Sequence, residues 1–447
     1  MDGDAVVLME GGMDLQWRDN ASASRFRAYI ERLTRALGHA DRVAPFRTYC
    51  VGLMLPGARK SVEPMAARVE PARVGAAHQC LHHFVAKAAW DDASVLAGVR
   101  EAVLPAMEAQ APIRAWIIDD TGIPKKGRLS VGVGRQYCGQ VGKQENCQVA
   151  VSLSVATDQA SLPVAFRLYL PEAWADDPER RAKAGVPEEV TFQTKPQIAL
   201  AQIRAAVAAD LPRGVVVMDA GYGVDGELRA GVTELGLAYM AGVQSSVGLW
   251  PPGTTPLPPM PWKGRGRPPK LIRRNADHQP ISARDLAKRL PAQAWHSVTW
   301  REGTAAPLTS RFAAVRVRPG HRDYWRTEPW PEEWLLIEWP EGEKEPAKYW
   351  LSTLAETAPL AELVDTAKLR WRIERDYQEL KQELGLDHFE GRGWRGFHHH
   401  ATMCIAAYGF LVQERATLSP SGQDPSALVT PATLSQTYRP RGSTAPP

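Results

Sequence analysis

The chain has 447 residues, 44% of them hydrophobic and 23% charged, with a formal net charge of +4 and a pI near 8.7. This is the composition of a globular protein with room for more than one domain, and its weak basicity permits a polyanionic partner without demanding one. No run approaches the roughly 20 apolar residues of a membrane span. The first residues are acidic, unlike a signal peptide, and the five cysteines lack C-x-x-C spacing, so a reduced cytoplasmic setting is expected.

Residues 1–110 read as helical. Phe26, Tyr29, Ile30, Leu33 and Leu37 recur at helical spacing, as do Leu96, Val99, Val103 and Met107. Arg42, Arg47, Arg59, Lys60 and Arg68 are interleaved, as in a small helical module that contacts DNA or in a bundle with a solvated basic face. Past Ile113 the period changes. Ala115 to Ile118 is a short apolar run closed by Asp119-Asp120-Thr121-Gly122, which predicts a buried strand ending in carboxylates. Lys125, Lys126 and Arg135 lie in the Gly-rich stretch that follows, and Cys147–Ala156 and Leu162–Leu170 read as an antiparallel strand pair. Thr194 as N-cap and Pro196 in the first turn announce a helix to about Ala209. A strand at Gly214–Met218 ends on Asp219, then a helix near 226–235 and a strand near 237–243 complete the alternation. Three strands, helix, strand, helix, strand is the outline of an RNase H-like α/β fold with a mixed sheet and flanking helices.

Residues 245–350 interrupt this pattern with a Pro-rich linker and Trp-rich strands at His296–Trp300, Phe312–Val317 and Trp334–Trp339. Seven Trp (Trp295, Trp300, Trp325, Trp330, Trp334, Trp339, Trp350) fall within residues 295–350, most of them expected to pack the strands, one or two free to stack on an unpaired base. The linker segment Trp262–Arg274 holds six basic residues (Lys263, Arg265, Arg267, Lys270, Arg273 and Arg274) and no acidic one. Their Arg265-Gly-Arg-Pro268 core is similar to an AT-hook, in which an extended Arg-Gly-Arg backbone enters a narrow minor groove. The strongest helix is expected at about Leu360–Leu384, and a last apolar one at about His399–Val412. His398, His399 and His400 point in different directions on a helix and suit phosphate contact or capping better than zinc. A Ser/Pro/Thr-rich tail past Leu418 is expected to be disordered.

Asp120, Asp219 and Glu374 are the candidate metal ligands. Two Asp from strand ends and one Glu from a helix form a hard oxygen set that suits two Mg²⁺ about 3.5–4 Å apart, the arrangement that cleaves phosphodiesters. On a helix turning about 100° per residue, Arg370 at 0° puts Glu374 near 40° and Lys381 near 20°, one stripe, while Glu379 and Glu383 fall on the far, solvated side with Arg372 and Arg375.

Arg370-x3-Glu374-x6-Lys381 after a β-rich insertion resembles the signature of IS4-type DDE transposases. The segments Asp119-Asp-Thr-Gly-Ile-Pro-Lys-Lys-Gly127, Gly134-Arg-Gln-Tyr-Cys-Gly139, Asn146-Cys-Gln-Val149, Leu168-Tyr-Leu-Pro-Glu172, His388-Phe-Glu-Gly-Arg392 and Leu55-Pro-Gly-Ala-Arg-Lys-Ser-Val-Glu-Pro64 resemble the IS701 transposase family within that group. The resemblance spans roughly residues 45–415. It implies a first catalytic Asp at Asp120, with Asp119 as runner-up, then Asp219 and Glu374. Ala367 stands where the broader signature has a Tyr. The implied division is a helical N-terminal DNA-binding domain (1–110), a first part of the RNase H-like core (111–244), a β insertion (245–350), a second core part (351–418) and a tail (419–447). The implied activity is Mg²⁺-dependent cleavage and joining of double-stranded DNA, with Mn²⁺ able to substitute, by a homodimer on DNA in the bacterial nucleoid and away from membranes. The competing expectations are a catalytically silent DNA-binding relative and a carbohydrate-active enzyme built on paired carboxylates.

Overall fold

Helices dominate the first quarter of the computed structural model, which describes residues 16–17, 21–301, 307–418 and 438–439. After β1 (Gln16–Trp17) come α1 (Ala21–Thr34), α2 (Val43–Met54), α3 (Val62–Val69), α4 (Val74–Ala86) and α5 (Asp92–Gln110). Phe26 of α1 meets Phe410 edge-on at 4.9 Å, and the Tyr29 hydroxyl donates to the Ala406 carbonyl at 2.8 Å, both partners lying in the last long helix. One apolar cluster runs from Phe26 to Val412 through the sheet, so packing is continuous across the expected boundary at residue 110. Each aromatic or large aliphatic side chain buried there contributes about 1.5–3 kcal/mol relative to exposure.

The basic residues interleaved in these helices do not form a free positive face. Lys60 is buried, its ammonium donating to the carbonyls of Leu53 and Leu55, and burial lowers its pKa to about 8. Arg47 pairs with Glu31, Arg59 with Glu390, and Arg68 donates to the Arg59 carbonyl.

The sheet begins with β2 (Ala115–Pro124), β3 (Gly134–Cys138), β4 (Lys143–Ala156) and β5 (Ser161–Leu168), followed by α6 (Glu172–Ala175), α7 (Pro178–Ala184) and α8 (Lys195–Ala208). Thr194 and Gln197 close a reciprocal capping box at the start of α8, as the Thr-Lys-Pro-Gln sequence dictates. Next come β6 (Val215–Met218), α9 (Ala220–Gly223), α10 (Gly226–Glu234) and β7 (Tyr239–Val243). β5, β4, β2, β6 and β7 lie side by side: β4 is antiparallel to β5 and β2, whereas β2, β6 and β7 run parallel. This is the mixed α/β arrangement expected from the alternation. β2 runs longer than expected, because β4 stays paired with it to Pro124 while β6 leaves it at the Ile118–Met218 pair. The two aspartates therefore sit within a strand, at the point where one of its two neighbours ends.

The interrupting segment holds β8 (Gly248–Trp250), β9 (Ile281–Ser282), α11 (Ala283–Arg289), β10 (His296–Arg301), β11 (Leu308–Pro319), β12 (Glu333–Trp339) and β13 (Lys348–Ser352). It does not stand apart: β13 pairs antiparallel with β7, so β12 and β11 extend the same sheet. The chain ends in α12 (Leu360–Lys368), α13 (Trp371–Gln382) and α14 (Trp394–Leu418), with β14 (Tyr438–Arg439) paired to β1. The rest of the expected disordered tail lies outside the described residues.

The single helix expected over Leu360–Leu384 is two. The last turn of α12 is anchored to the β insertion by Lys368, whose ammonium bonds both oxygens of Glu338 at 2.8 Å and lies 4.0 Å from the Trp300 ring centroid. α13 instead packs on β2, β5 and α14. The axis breaks at Leu369–Arg370, where Arg372 and Ile373 donate to carbonyls only three residues back. Glu379, expected on a solvated side, is buried between Arg375 and Arg415, because that side of α13 faces α14.

Candidate active site

Strand alternation decides which acidic groups meet. Ala115 and Ile117 of β2 and Val217 of β6 join Leu363, Val364, Ile373 and Tyr377 in the apolar cluster under α12 and α13. Trp116, Ile118, Val216 and Met218 join Ile198 and Ile203 of α8 on the opposite face. Asp119 and Asp219 continue the first series and Asp120 the second. Asp119 and Asp219 therefore emerge side by side below α13, one residue past the last β2–β6 pair.

Arg370, at the helix break, ties this pair to the third acid. Its Nη1 donates to Asp119 Oδ2 at 2.6 Å and its Nη2 to Glu374 Oε1 at 2.7 Å. The other Asp119 oxygen accepts from the Asp120 amide at 2.8 Å. Burial pushes the Asp119 carboxyl up to about 7, against the opposing pull of Arg370 and with the charges of Asp219 and Asp120 adding to the rise. Asp219 Oδ1 accepts the amides of Gly221 and Tyr222 at 2.9 and 3.2 Å, capping the short α9. Gly223 is required there: a Cβ on it would stand 2.0 Å from the Gly242 carbonyl oxygen of β7.

Asp120, the first choice from the sequence, is not in this cluster. Its Oδ2 accepts from Lys195 Nζ at 3.0 Å and from the Tyr222 hydroxyl at 3.1 Å, on the α8 side of the sheet. The difference follows from the two-residue period, which sends neighbours to opposite faces. The runner-up Asp119 is the one facing Asp219 and Glu374. Among the described residues no three acidic, histidine or cysteine side chains already close on one point, since the guanidinium of Arg370 stands between Asp119 and Glu374.

All these groups line one open cleft of about 1070 Å³. Lys381 lines it one helical stretch beyond Glu374, as the wheel predicts, but is tethered: its ammonium donates to the Gly122 carbonyl at 2.8 Å and to Gln140 Oε1 at 3.1 Å. Burial lowers its pKa. Sequence reasoning missed Lys195, Tyr222 and Ala58 as cleft residues. The cap Thr194 marks where α8 begins, yet nothing in the sequence says that its first residue reaches Asp120.

The expected DNA contacts divide. Lys263, Arg265, Arg267 and Lys270 are exposed, as are Lys126 and Arg135. The backbone around Arg265 is not the extended hook expected: Gly264 and Gly266 have φ of 80° and 74°, and the Trp262 indole donates to the Gly266 carbonyl at 3.2 Å, folding the segment into a knuckle. Arg274 is structural, paired with buried Asp323 and bonded to the Gly320 carbonyl, and Arg273 donates to the Pro258 carbonyl at 3.0 Å. Lys125 points inward to the Phe389 carbonyl at 2.6 Å. The three histidines do not reach phosphate. They are buried, His399 and His400 bond backbone carbonyls, and burial lowers the pKa of both to about 4.

Residues 32–307 match the family described as DDE superfamily endonuclease, well over half of the chain. The chain belongs to that family. The chain is 31% identical over 169 residues to the probable transposase for insertion sequence element IS701 of Microchaete diplosiphon, a stretch covering 38% of the present chain and 41% of the relative. The match bears out the resemblance to IS701 transposases, though it spans less than half of that relative's length. Among solved structures, the piggyBac transposase synaptic complex with hairpin DNA is similar at a TM-score of 0.43 and 11% identity, over 89% of this chain and 70% of that one. The matched family region includes Asp119, Asp120 and Asp219, whereas Glu374 lies beyond it and is located by its contact with Arg370. Among the described residues no helix is long and apolar enough to cross a membrane.

Proposed function

We propose that this DDE endonuclease is a transposase that binds the terminal inverted repeats of an insertion sequence, hydrolyses phosphodiester bonds at its ends and joins the freed 3′-OH ends to target DNA. The observation that carries the reading is the arrangement of three acids around Arg370 in one open cleft: Asp119 and Glu374 bond its guanidinium, and Asp219 acts on it through its charge. In this reading the first catalytic acid is Asp119 rather than Asp120.

The donor set fits divalent metal. It consists of hard carboxylate oxygens, and burial together with the charges of Asp219 and Asp120 raises the Asp119 pKa to about 7, a penalty on its charged form that a bound cation would relieve. Asp119, Asp219 and Glu374 would hold two Mg²⁺, or Mn²⁺, which when bound activate water and stabilise the leaving 3′ oxygen. The protein's own groups do the rest. The backbone amides of α9 orient the Asp219 carboxylate, and Gly223 fixes that turn against β7. Arg370 and Lys381 line the cleft as cations that position the phosphates of the cut strand, and the exposed Lys263, Arg265, Arg267 and Lys270 grip flanking duplex. Assembly on two element ends calls for a homodimer in the DNA complex.

The test is nicking of supercoiled plasmid by the full chain with Mg²⁺ and with chelator. Mg²⁺-dependent nicking that vanishes in Asp219→Asn supports the proposal. DNA binding without nicking under any divalent ion would instead make the chain a catalytically silent binder.

A further inference from the structure

The cleft has a second wall that the acidic cluster does not use. Across β2 from Asp119, the carboxylate of Asp120 holds the ammonium of Lys195 at 3.0 Å and the hydroxyl of Tyr222 at 3.1 Å. Thr194, Lys195, Asp120 and Tyr222 all line the same cleft as Arg370 and Lys381. The Lys195 side chain is 28% exposed and Asp120 22%, so the pair opens to the cleft without being fully solvated. Lys195 is also the first residue of α8, a helix of 14 residues whose N-terminal end favours negative charge nearby.

A pair of this kind adds little stability at such exposure. Its geometry has another consequence. Asp120 accepts both donors through one oxygen, Oδ2, which fixes the lysine tip at the lip of the cleft while the ammonium keeps further protons to donate. The Tyr169 ring, its centroid 5.9 Å from Nζ, closes one side. The cation is thus held in place on the wall opposite α13.

Resting on the transposase reading, we infer that Lys195 is a phosphate-positioning residue for the DNA strand in the cleft, and that Asp120 and Tyr222 serve to aim it. The tandem Asp119-Asp120 then has two separate duties divided by strand alternation: the first acid faces the cluster around Arg370, the second orients a cation. The strand would run between Lys195 on the α8 side and Arg370 with Lys381 on the α13 side.

The experiment measures binding of the full chain to a fluorescent nicked duplex in calcium across a salt series, together with plasmid nicking in Mg²⁺. Lys195→Gln is expected to flatten the slope of log affinity against log salt by about 0.7–0.9, one phosphate contact. It should also raise the plasmid concentration for half-maximal nicking, while Lys195→Arg restores the slope. Asp120→Asn should change the slope in the same direction by less, and the Lys195→Gln/Asp120→Asn double variant should match Lys195→Gln, because the pair acts as a unit. An unchanged slope in Lys195→Gln, or a loss of binding that follows a fall in melting temperature and is not rescued by Lys195→Arg, overturns the inference while leaving the transposase reading intact. Failure of the parent chain to bind the duplex overturns both.

Discussion

Asp119 accepts a hydrogen bond from Arg370 at 2.6 Å across 251 residues of sequence, while its immediate neighbour Asp120 turns away to Lys195. The two carboxylates are equivalent in composition and opposite in surroundings. Asp119→Asn should therefore lower plasmid nicking by about a hundred-fold or more, which corresponds to about 2.7 kcal/mol in the barrier. Asp120→Asn should cost about ten-fold, as expected for a misplaced reactant. Both variants should bind DNA within a few-fold of the parent. If Asp120→Asn is the dead variant and Asp119→Asn cuts, the assignment reverses.

The raised pKa of Asp119 has a consequence for stability. In the unfolded chain the group ionises near its ordinary 3.8, whereas in the folded protein it keeps its proton up to about 7. Between these values the native state binds more protons, so this group's contribution to stability falls as pH rises from about 4 to about 7. His399 and His400 act in the opposite sense. Their folded pKa of about 4 lies below the usual 6.5, so stability is lost as pH falls through that window. The melting temperature of the metal-free parent mixes these effects, and the difference between Asp119→Asn and the parent isolates the first. The variant should gain relative to the parent as pH rises from 4 to 7. A constant difference would show that Asp119 titrates normally.

Much of the fold is legible in the sequence because apolar periodicity and caps are local signals. The Thr194 cap, the β4–β5 pair and the strand ending before Asp219 all stand where expected. The choice between Asp119 and Asp120 is not local. It depends on which face of β2 lies under α13, and motif resemblance alone does not report that face. The wheel placed Arg370, Glu374 and Lys381 on one stripe correctly, because all three belong to a single run starting at the break. The break itself escaped notice because it comes from Lys368 meeting Glu338 and Trp300 of a distant segment. The basic residues of the linker look alike in sequence, and only tertiary contacts separate half-buried Arg274, paired with Asp323, from exposed Arg265 and Arg267.

That separation can be measured. Replacing Arg265 and Arg267 together with Ala should leave the melting temperature unchanged and reduce the salt slope of duplex binding by about two phosphate contacts or fewer. Because Gly264 and Gly266 fold the segment into a knuckle, the loss should be similar on A/T-rich and G/C-rich duplexes. A markedly larger loss on A/T-rich DNA would mean that the segment extends on binding into a minor-groove hook. Arg274→Ala should behave differently. It strands the buried carboxylate of Asp323, and removal of one partner of a buried ion pair costs about 3–5 kcal/mol. Its melting temperature should fall clearly, with the salt slope of the surviving folded protein unaltered.

Arg370 offers the last test, because it carries two duties that pull apart. Its guanidinium neutralises Asp119 and Glu374, and the same position would bring it against the phosphate of the cut strand. A divalent ion entering the cluster competes with it for those oxygens. In Arg370→Ala the carboxylates lose their internal cation, so Mg²⁺ should raise the melting temperature of the variant by more than it raises that of the parent. Stabilisation by a bound ligand grows with its affinity for the native state. Nicking should nevertheless fall by about ten-fold or more, since the strand is no longer positioned. Lys381→Ala lacks the first effect, because its ammonium bonds the Gly122 carbonyl and Gln140 rather than the acidic cluster. It should lose nicking to a similar degree while keeping the parent's response to Mg²⁺. Equal Mg²⁺ responses in the parent and Arg370→Ala would mean that the guanidinium and the ion do not share Asp119 and Glu374, and would remove Glu374 from the proposed ligand set.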